Sequence, residues 1–246
     1  MKKYSYSKIG AFHTNHNEDS YTITEIEDHK WLIAVMDGCS MGVESHFAST
    51  LITKILRKIG KELSYKSFIE KTRKNTSQYL ESILSQLFYE LKQIQDLLHL
   101  DNLEILSTLI LGVLDEQEKV VELVTIGDGL IYCDGIFYEY DQEDKPDYLG
   151  YHLTEDFSTW FKIQSQKLSL KNVSNLSISS DGIFTFKNFT GKQYPIIEDH
   201  EILAYLLIAE GSKDQETMLN KKVIEIETKY GLKPSDDLTI IRIIME

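Results

Sequence analysis

Cysteine is scarce in this chain. Cys39 and Cys133 are the only two, too few for the disulfide framework that staples small secreted folds. No apolar run approaches the ~20 residues a membrane-spanning helix needs. The stretch Met1–Phe12 has no apolar segment of a secretory leader behind Lys2 and Lys3. Repeats and low-complexity tracts are missing, which sets aside fibrous and disordered classes. Basic charge is short: 26 Lys and Arg stand against 39 Asp and Glu, a formal net charge of -13. That balance disfavours nucleic acid or an anionic membrane as a main partner. Arginine does not occur before Arg57. The expectation is one soluble domain in a reducing, cytoplasmic setting; the composition is silent on oligomeric state.

What is present is a series of short apolar runs ending in Gly or Asp: Trp31–Met36, Ile105–Leu114, Val120–Ile126, Leu130–Cys133, Ile136–Tyr140, Leu176–Ser179 and Leu238–Met245. Their Val, Ile and Tyr content predicts strands. Asp134-Gly135 between two of them predicts a two-residue hairpin, and Asp115–Lys119 a turn. Helical spacing places Phe47, Ala48, Leu51, Ile52, Ile55, Leu56 and Ile59 on one face, and Leu80, Ile83, Leu84, Leu87, Leu91, Ile94 and Leu98 on another. A second helix block covers Glu201–Glu210 and about Gln215–Tyr230, with Gly211 and Gly231 as predicted stops. Runs of strands separated by helix pairs predict an α+β fold with mostly antiparallel sheets, each helix pair covering one outer sheet face. Residues 141–171 lack a clear period and carry acidic and aromatic clusters. Two readings stay open for them: a flap or lid over a site, or a surface excursion pinned by its aromatics.

Three runs end alike, in Met36-Asp37-Gly38, Gly127-Asp128-Gly129 and Ser180-Asp181-Gly182. A strand end holds its carboxylate on a rigid element, and the glycine permits a tight turn and close approach of the backbone carbonyl to a ligand. Several such ends brought together suit Mg²⁺ or Mn²⁺, which prefer oxygen ligands. Any single Asp-Gly is more often just a turn, and Asp134-Gly135 is such a case. The three gain weight from Asn17-Glu18-Asp19 near the start and Ser235-Asp236-Asp237-Leu238-Thr239 before the last strand.

The ordered set Asn17-Glu18-Asp19, Asp37-Gly38-Cys39-Ser40-Met41-Gly42, Ser107-Thr108, Gly127-Asp128-Gly129, Ser180-Asp181-Gly182 and Asp236-Asp237-Leu238-Thr239 resembles the metal-dependent protein phosphatases of type 2C, in a divergent branch. The resemblance implies two packed antiparallel β-sheets flanked by helix pairs, a four-layer α-β-β-α sandwich. It further implies two or three Mg²⁺ or Mn²⁺ ions. Asp37 would bridge two of them, the Gly38 carbonyl would complete one site, Asp181 and Asp236 would serve the other, and Asp128 with Asp181 would hold a third. Glu18 and Asp19 would lie beside the cluster holding waters, with Asp237 in reserve for Asp236. Asp37, Asp181 and Asp236 would then carry catalysis, a metal-bridging hydroxide hydrolysing phosphoserine or phosphothreonine in a phosphoprotein partner without a phosphoenzyme.

The chain departs from the family pattern on the substrate side. Relatives carry an Arg shortly before Asn-Glu-Asp that grips phosphate; here stand His13-Thr14-Asn15-His16, and His13 and His16 are the candidate phosphate contacts. Cys39 stands where some relatives have a His, Leu106 where a Gly is usual, and Phe157 where the motif around Thr154–Ser158 usually has His. Two alternatives remain beside the protein phosphatase: a regulatory or binding module with weakened catalysis, and a hydrolase of small phosphoesters. The clustered carboxylates argue against the first, because without a cation they repel.

Overall fold

The computed structural model describes residues 1–42, 44–70, 74–142 and 146–245. The chain opens with β1 (Lys2–Lys8), β2 (Asp19–Glu27) and β3 (Lys30–Asp37), then the helices α1 (Ser45–Glu70) and α2 (Thr76–Leu98). A meander follows: β4 (Leu109–Asp115), β5 (Val120–Ile126), β6 (Gly129–Cys133) and β7 (Ile136–Tyr140). Next come α3 (Phe157–Ile163), β8 (Lys167–Lys171), β9 (Asn175–Ser179) and β10 (Phe186–Asn188). The chain continues through α4 (Asp199–Leu207), α5 (Met218–Tyr230), β11 (Leu232–Pro234) and β12 (Leu238–Ile244).

The long strands form two five-stranded sheets, ordered β1-β12-β9-β6-β7 and β2-β3-β4-β5-β8, and their ladders are antiparallel. The sheets pack face to face through Ile33, Val35, Ile110, Leu123, Ile131, Ile178, Ile241 and Ile243, all buried. On the outer face of one sheet, Leu32, Ala34 and Met36 of β3 meet Ile52, Leu56 and Ile59 of α1 and Leu80, Leu84 and Leu87 of α2. The other sheet presents Tyr4, Tyr6, Leu238 and Ile240 to Leu206 of α4 and Leu219, Val223 and Ile226 of α5. The result is the expected α+β, four-layer α-β-β-α sandwich. It also explains why β3 reads as a nearly continuous apolar run: both of its faces are covered. Each fully buried Leu or Ile contributes ~1.5–3 kcal/mol.

The Asp134-Gly135 hairpin forms as expected, with φ of 44° and 97° at the two residues and Cys133 opposite Ile136. Gly231 ends α5 in the left-handed conformation, φ 68°. Gly211 does not end its helix. α4 stops at Leu207, and buried cations take its last carbonyls. Arg242 donates to the carbonyls of Leu206, Ile208 and Ala209, at 3.1, 2.8 and 2.8 Å, and Lys222 to those of Tyr205 and Ala209. A tertiary cap makes a glycine stop unnecessary.

The strand expected over Ile105–Leu114 begins only at Leu109. Ahead of it the backbone turns to the end of β3: Cys39 N donates to Leu106 O at 3.1 Å and Thr108 N to Asp37 O at 2.8 Å. Within residues 141–171, positions 143–145 lie outside the described residues. Of the remainder, α3 is capped by Asp156, which accepts from Thr159 N at 2.9 Å. Phe157 and Trp160 pack against Phe88 of α2, edge-on and tilted, with centroids 5.3 and 4.7 Å away. β8 adds an edge strand beside β5.

Candidate active site

The acidic residues singled out from the sequence sit at strand ends and on the loops beside them. β2 and β3 pair with Asp19 opposite Asp37, so two carboxylates start and end adjacent strands. Gly38 follows in an isolated bridge to Ser107, its N–H donating to Glu18 O at 3.1 Å. A Cβ at Gly38 would lie 2.1 Å from the Ser45 carbonyl oxygen, so only glycine lets the start of α1 pack this tightly. Asp128 sits in the β5–β6 turn between Gly127 and Gly129, with φ of 84° and 142°, and accepts from Gln142 N at 3.0 Å. Asp181 follows β9, and Asp236 and Asp237 precede β12.

Asp37, Gly38, Asp128, Asp181 and Asp236 line one cavity of about 110 Å³, together with Cys39, Ser40, Thr108, Pro146 and Tyr148. Among the described residues, no Lys or Arg lines it. Burial first, and then the neighbouring Asp19, Asp181 and Asp236, push the pKa of Asp37 well above the usual carboxylate range. Burial raises Asp128 to about 6, against the hydrogen bond from Gln142. Burial and Asp236 raise Asp181. Asp19 is driven to about 8 by burial, although Ser180 Oγ donates to it at 2.6 Å. One oxygen each of Asp19 and Asp181 is buried without a hydrogen-bond donor. Orphaned buried acceptors in a set of unneutralised oxygen donors fit a divalent cation of the Mg²⁺ or Mn²⁺ type.

Asp237 differs from Asp236. Its side chain is 1% exposed, and it accepts from Gly10 N at 2.7 Å and Glu18 N at 2.5 Å. It ties the β1–β2 connection to the start of β12, whereas Asp236, 42% exposed, faces the cavity. Glu18 turns its carboxylate to the hydroxyls of Ser40, at 2.9 Å, and Ser45. It lines a neighbouring groove of about 430 Å³ with His13, His16, Glu44 and His46. His16 stacks on His46, centroids 4.1 Å apart, and does not line the acidic cavity. His13 stands between the two spaces, Nε2 3.5 Å from Asp236 Oδ1 and Nδ1 3.0 Å from Asp237 Oδ2. The second contact is an ion pair off the N–H axis, since Nδ1 is buried without an aligned hydrogen bond. Burial opposes the charged ring, but Asp237, Asp236 and Glu18 outweigh it and raise the His13 pKa.

Arg57, first of its kind in the chain, is committed elsewhere. It lies on α1 and donates to Tyr21 O at 3.1 Å. The sequence assigns no role of their own to Ser180, Pro146 or Tyr148, although Pro146 and Tyr148 belong to the 141–171 segment for which a lid over a site is one of the two readings. Ser180 is signalled only by the Ser-Asp-Gly element that contains it, and the two lining residues come from a loop without periodicity.

The sequence profile described as protein phosphatase 2C matches residues 11–218. The chain therefore belongs to the protein phosphatase 2C family. No curated protein sequence matches it significantly. Among solved structures, a bacterial serine phosphatase superposes with a TM-score of 0.62 at 15% identity, covering 100% of this chain and 98% of that one. The serine/threonine phosphatase Stp1 from Staphylococcus aureus gives 0.61 at 14% identity, covering 100% and 96%. The PP2C phosphatase domain with a regulatory fragment of SpoIIE from Bacillus subtilis gives 0.60 at 19% identity, covering 100% of this chain and 63% of that one. At such identities the likeness is one of fold.

Proposed function

We propose that the chain hydrolyses phosphoserine and phosphothreonine monoesters of proteins with Mg²⁺ or Mn²⁺ held by Asp37, the Gly38 carbonyl, Asp128, Asp181 and Asp236. The observation that carries this reading is the meeting of four carboxylates from four separate strand ends around one cavity lined by no basic side chain among the described residues. Two or three such ions supply, when bound, acidification of a water to a nucleophile and neutralisation of phosphoryl charge.

The protein's own part is to hold donors in place before substrate arrives. Asp37 is fixed at the end of a strand covered on both faces, and its carbonyl is spent on Thr108 N. Ser180 Oγ pins Asp19 beneath the cluster. Asp237 holds the loop that carries His13 and Glu18, so that loop is tied to the chain segment bearing Asp236. His13 and His16 are the groups on the groove that contact the phosphate or its peptide, in place of an arginine.

One observation favours a second reading, a regulatory module with weakened turnover: no guanidinium lines the cavity or the groove among the described residues, and a single imidazole does not reproduce a bidentate fork. Hydrolysis of a phosphothreonine peptide and of an aryl phosphate with Mn²⁺, compared between wild type and Asp37→Asn, separates the readings. The phosphatase reading expects turnover in wild type and a loss of at least ~10²-fold in the variant. Equal, negligible rates in both would sink it. Turnover of the aryl phosphate with none of any phosphopeptide would move the assignment to small phosphoesters.

A further inference from the structure

His13 has an environment that a phosphate contact does not explain. Its Nε2 is 3.5 Å from Asp236 Oδ1, too long for a good N–H···O hydrogen bond. It is close to the ~3.3 Å that separates neighbouring ligands ~2.0–2.1 Å from one tetrahedral ion. On the other side of the ring, Nδ1 faces Asp237, whose own oxygens are locked by the N–H groups of Gly10 and Glu18. A carboxylate on the far side of the imidazole, itself held by backbone donors, stands where the partner of a metal-ligating histidine stands, and a small turn of the ring brings Nδ1–H, 3.0 Å from Asp237 Oδ2 but off its axis, into line with it. The ligand atoms of His13, Asp236 and Asp237 lie within 4.8 Å of one another.

We propose that His13 Nε2 and Asp236 Oδ1 share one divalent transition-metal ion, with Asp237 orienting the imidazole, where the acidic cavity meets the histidine-lined groove. The inference rests on the reading of Asp236 as a cation ligand and adds a nitrogen donor to an otherwise oxygen site. Imidazole favours Co²⁺, Ni²⁺ and Zn²⁺, whereas carboxylate and carbonyl oxygens suit Mg²⁺ and Mn²⁺. This position therefore discriminates between the two classes, and the oxygen cavity beside it does not. The missing arginine is then replaced in charge by a bound ion on the substrate side, a role that a single imidazole does not fill.

Calorimetric titration of the full chain with Co²⁺ and with Mg²⁺, for wild type, His13→Gln and Asp37→Asn, reads the two sites separately. His13→Gln is expected to weaken one Co²⁺ site at least tenfold and leave Mg²⁺ binding unchanged. Asp37→Asn is expected to weaken Mg²⁺ binding and keep the His13 Co²⁺ site. A second measurement does not depend on a variant folding. Wild type carrying ¹⁵N-histidine and loaded with Cu²⁺, a paramagnetic ion of the class that imidazole favours, is expected to show a directly coordinated nitrogen by pulsed electron paramagnetic resonance. Absence of that coupling, or Co²⁺ binding indifferent to His13→Gln in a folded variant, overturns the proposal. Mg²⁺ binding indifferent to Asp37→Asn instead overturns the Asp37 centre, and the nitrogen coupling still decides the fate of His13.

Discussion

Cys39 and Leu106 pack against each other beneath the acidic cavity, with Tyr148 completing a small buried cluster. Both stand where the family pattern differs, His being found at the first position in some relatives and Gly usual at the second. The two departures are therefore one packing solution: a small apolar thiol accommodates a leucine. Cys39→His alone is expected to cost ~2 kcal/mol, because it forces a polar ring into a site filled by Leu106. It should not raise turnover. Combined with Leu106→Gly it should cost less than the sum of the single changes. Thermal melts of the two single variants and the double check this; strict additivity would refute the coupling.

The carboxylate cluster makes the cation-free protein sensitive to pH. For acids whose folded pKa is raised, the fold favours the protonated form. The resulting penalty is full above the folded value and disappears as pH falls toward the unfolded one. With Asp19 near 8 and Asp128 near 6, melting in the presence of a chelator should shift upward as pH is lowered from about 8 to about 5. In chelator Asp37→Asn should melt above wild type, increasingly so as pH rises, since burial and the neighbouring carboxylates oppose an ionised Asp37 and the amide carries no charge. Millimolar Mn²⁺ should reverse that order. A wild type that melts higher in chelator at pH 8 than at pH 5 would contradict the account.

His152 clamps the loop beside the cavity. Its Nε2 meets Asp147 at 2.8 Å and its Nδ1 Glu155 at 2.7 Å, and its ring lies 5.3 Å from Trp160 of α3. Burial works against the charged ring, but these carboxylates raise its pKa. The stabilisation is thus complete below the unfolded value of about 6.5 and is lost as pH rises through the raised folded value. His152→Gln should therefore destabilise by ~1 kcal/mol near pH 6 and by much less above pH 8. The difference in denaturant midpoint between variant and wild type, followed across pH, is the readout.

Arg242 is fully buried on β12 and serves three carbonyls at the end of α4 as well as Asn175 Oδ1, at 3.2 Å. Arg242→Met keeps the apolar stem but strands those acceptors. It should cost ~3 kcal/mol, lowering the melting temperature without a change in Mn²⁺ affinity. An unchanged melting temperature would mean that water reaches the helix end.

The layer order and the strand-end aspartates are readable because they sit where physics leaves a strong pattern. β3, β5 and β12 are covered on two faces and appear as apolar runs. β1, β2 and β8 do not stand out. In Lys167–Lys171 only Leu168 and Leu170 turn inward, and β2 mixes Thr, Ser and Glu along its length. The end of α4 is misplaced at Gly211 by sequence alone, because its cap comes from a side chain on a strand more than thirty positions away, which no local signal announces. Asp236 and Asp237 are separable in the sequence only as a preference. Their different roles follow from Gly10 and Glu18 N–H groups that reach one of them across the whole chain.

The pairing of β1 with β12 has a consequence for biosynthesis. A ribosome must run on from β1 to β12 before the earlier strand finds its neighbour, and Gly10 and Glu18 wait equally long for Asp237. Contacts this distant along the chain close late and slowly. The ladders β2-β3-β4-β5 join neighbours in sequence order, so this part of the other sheet, with α1 and α2, has its contacts well before β12 is made. The acidic cavity is thus the last part to take shape, and a nascent chain stalled before Asp236 lacks a complete centre.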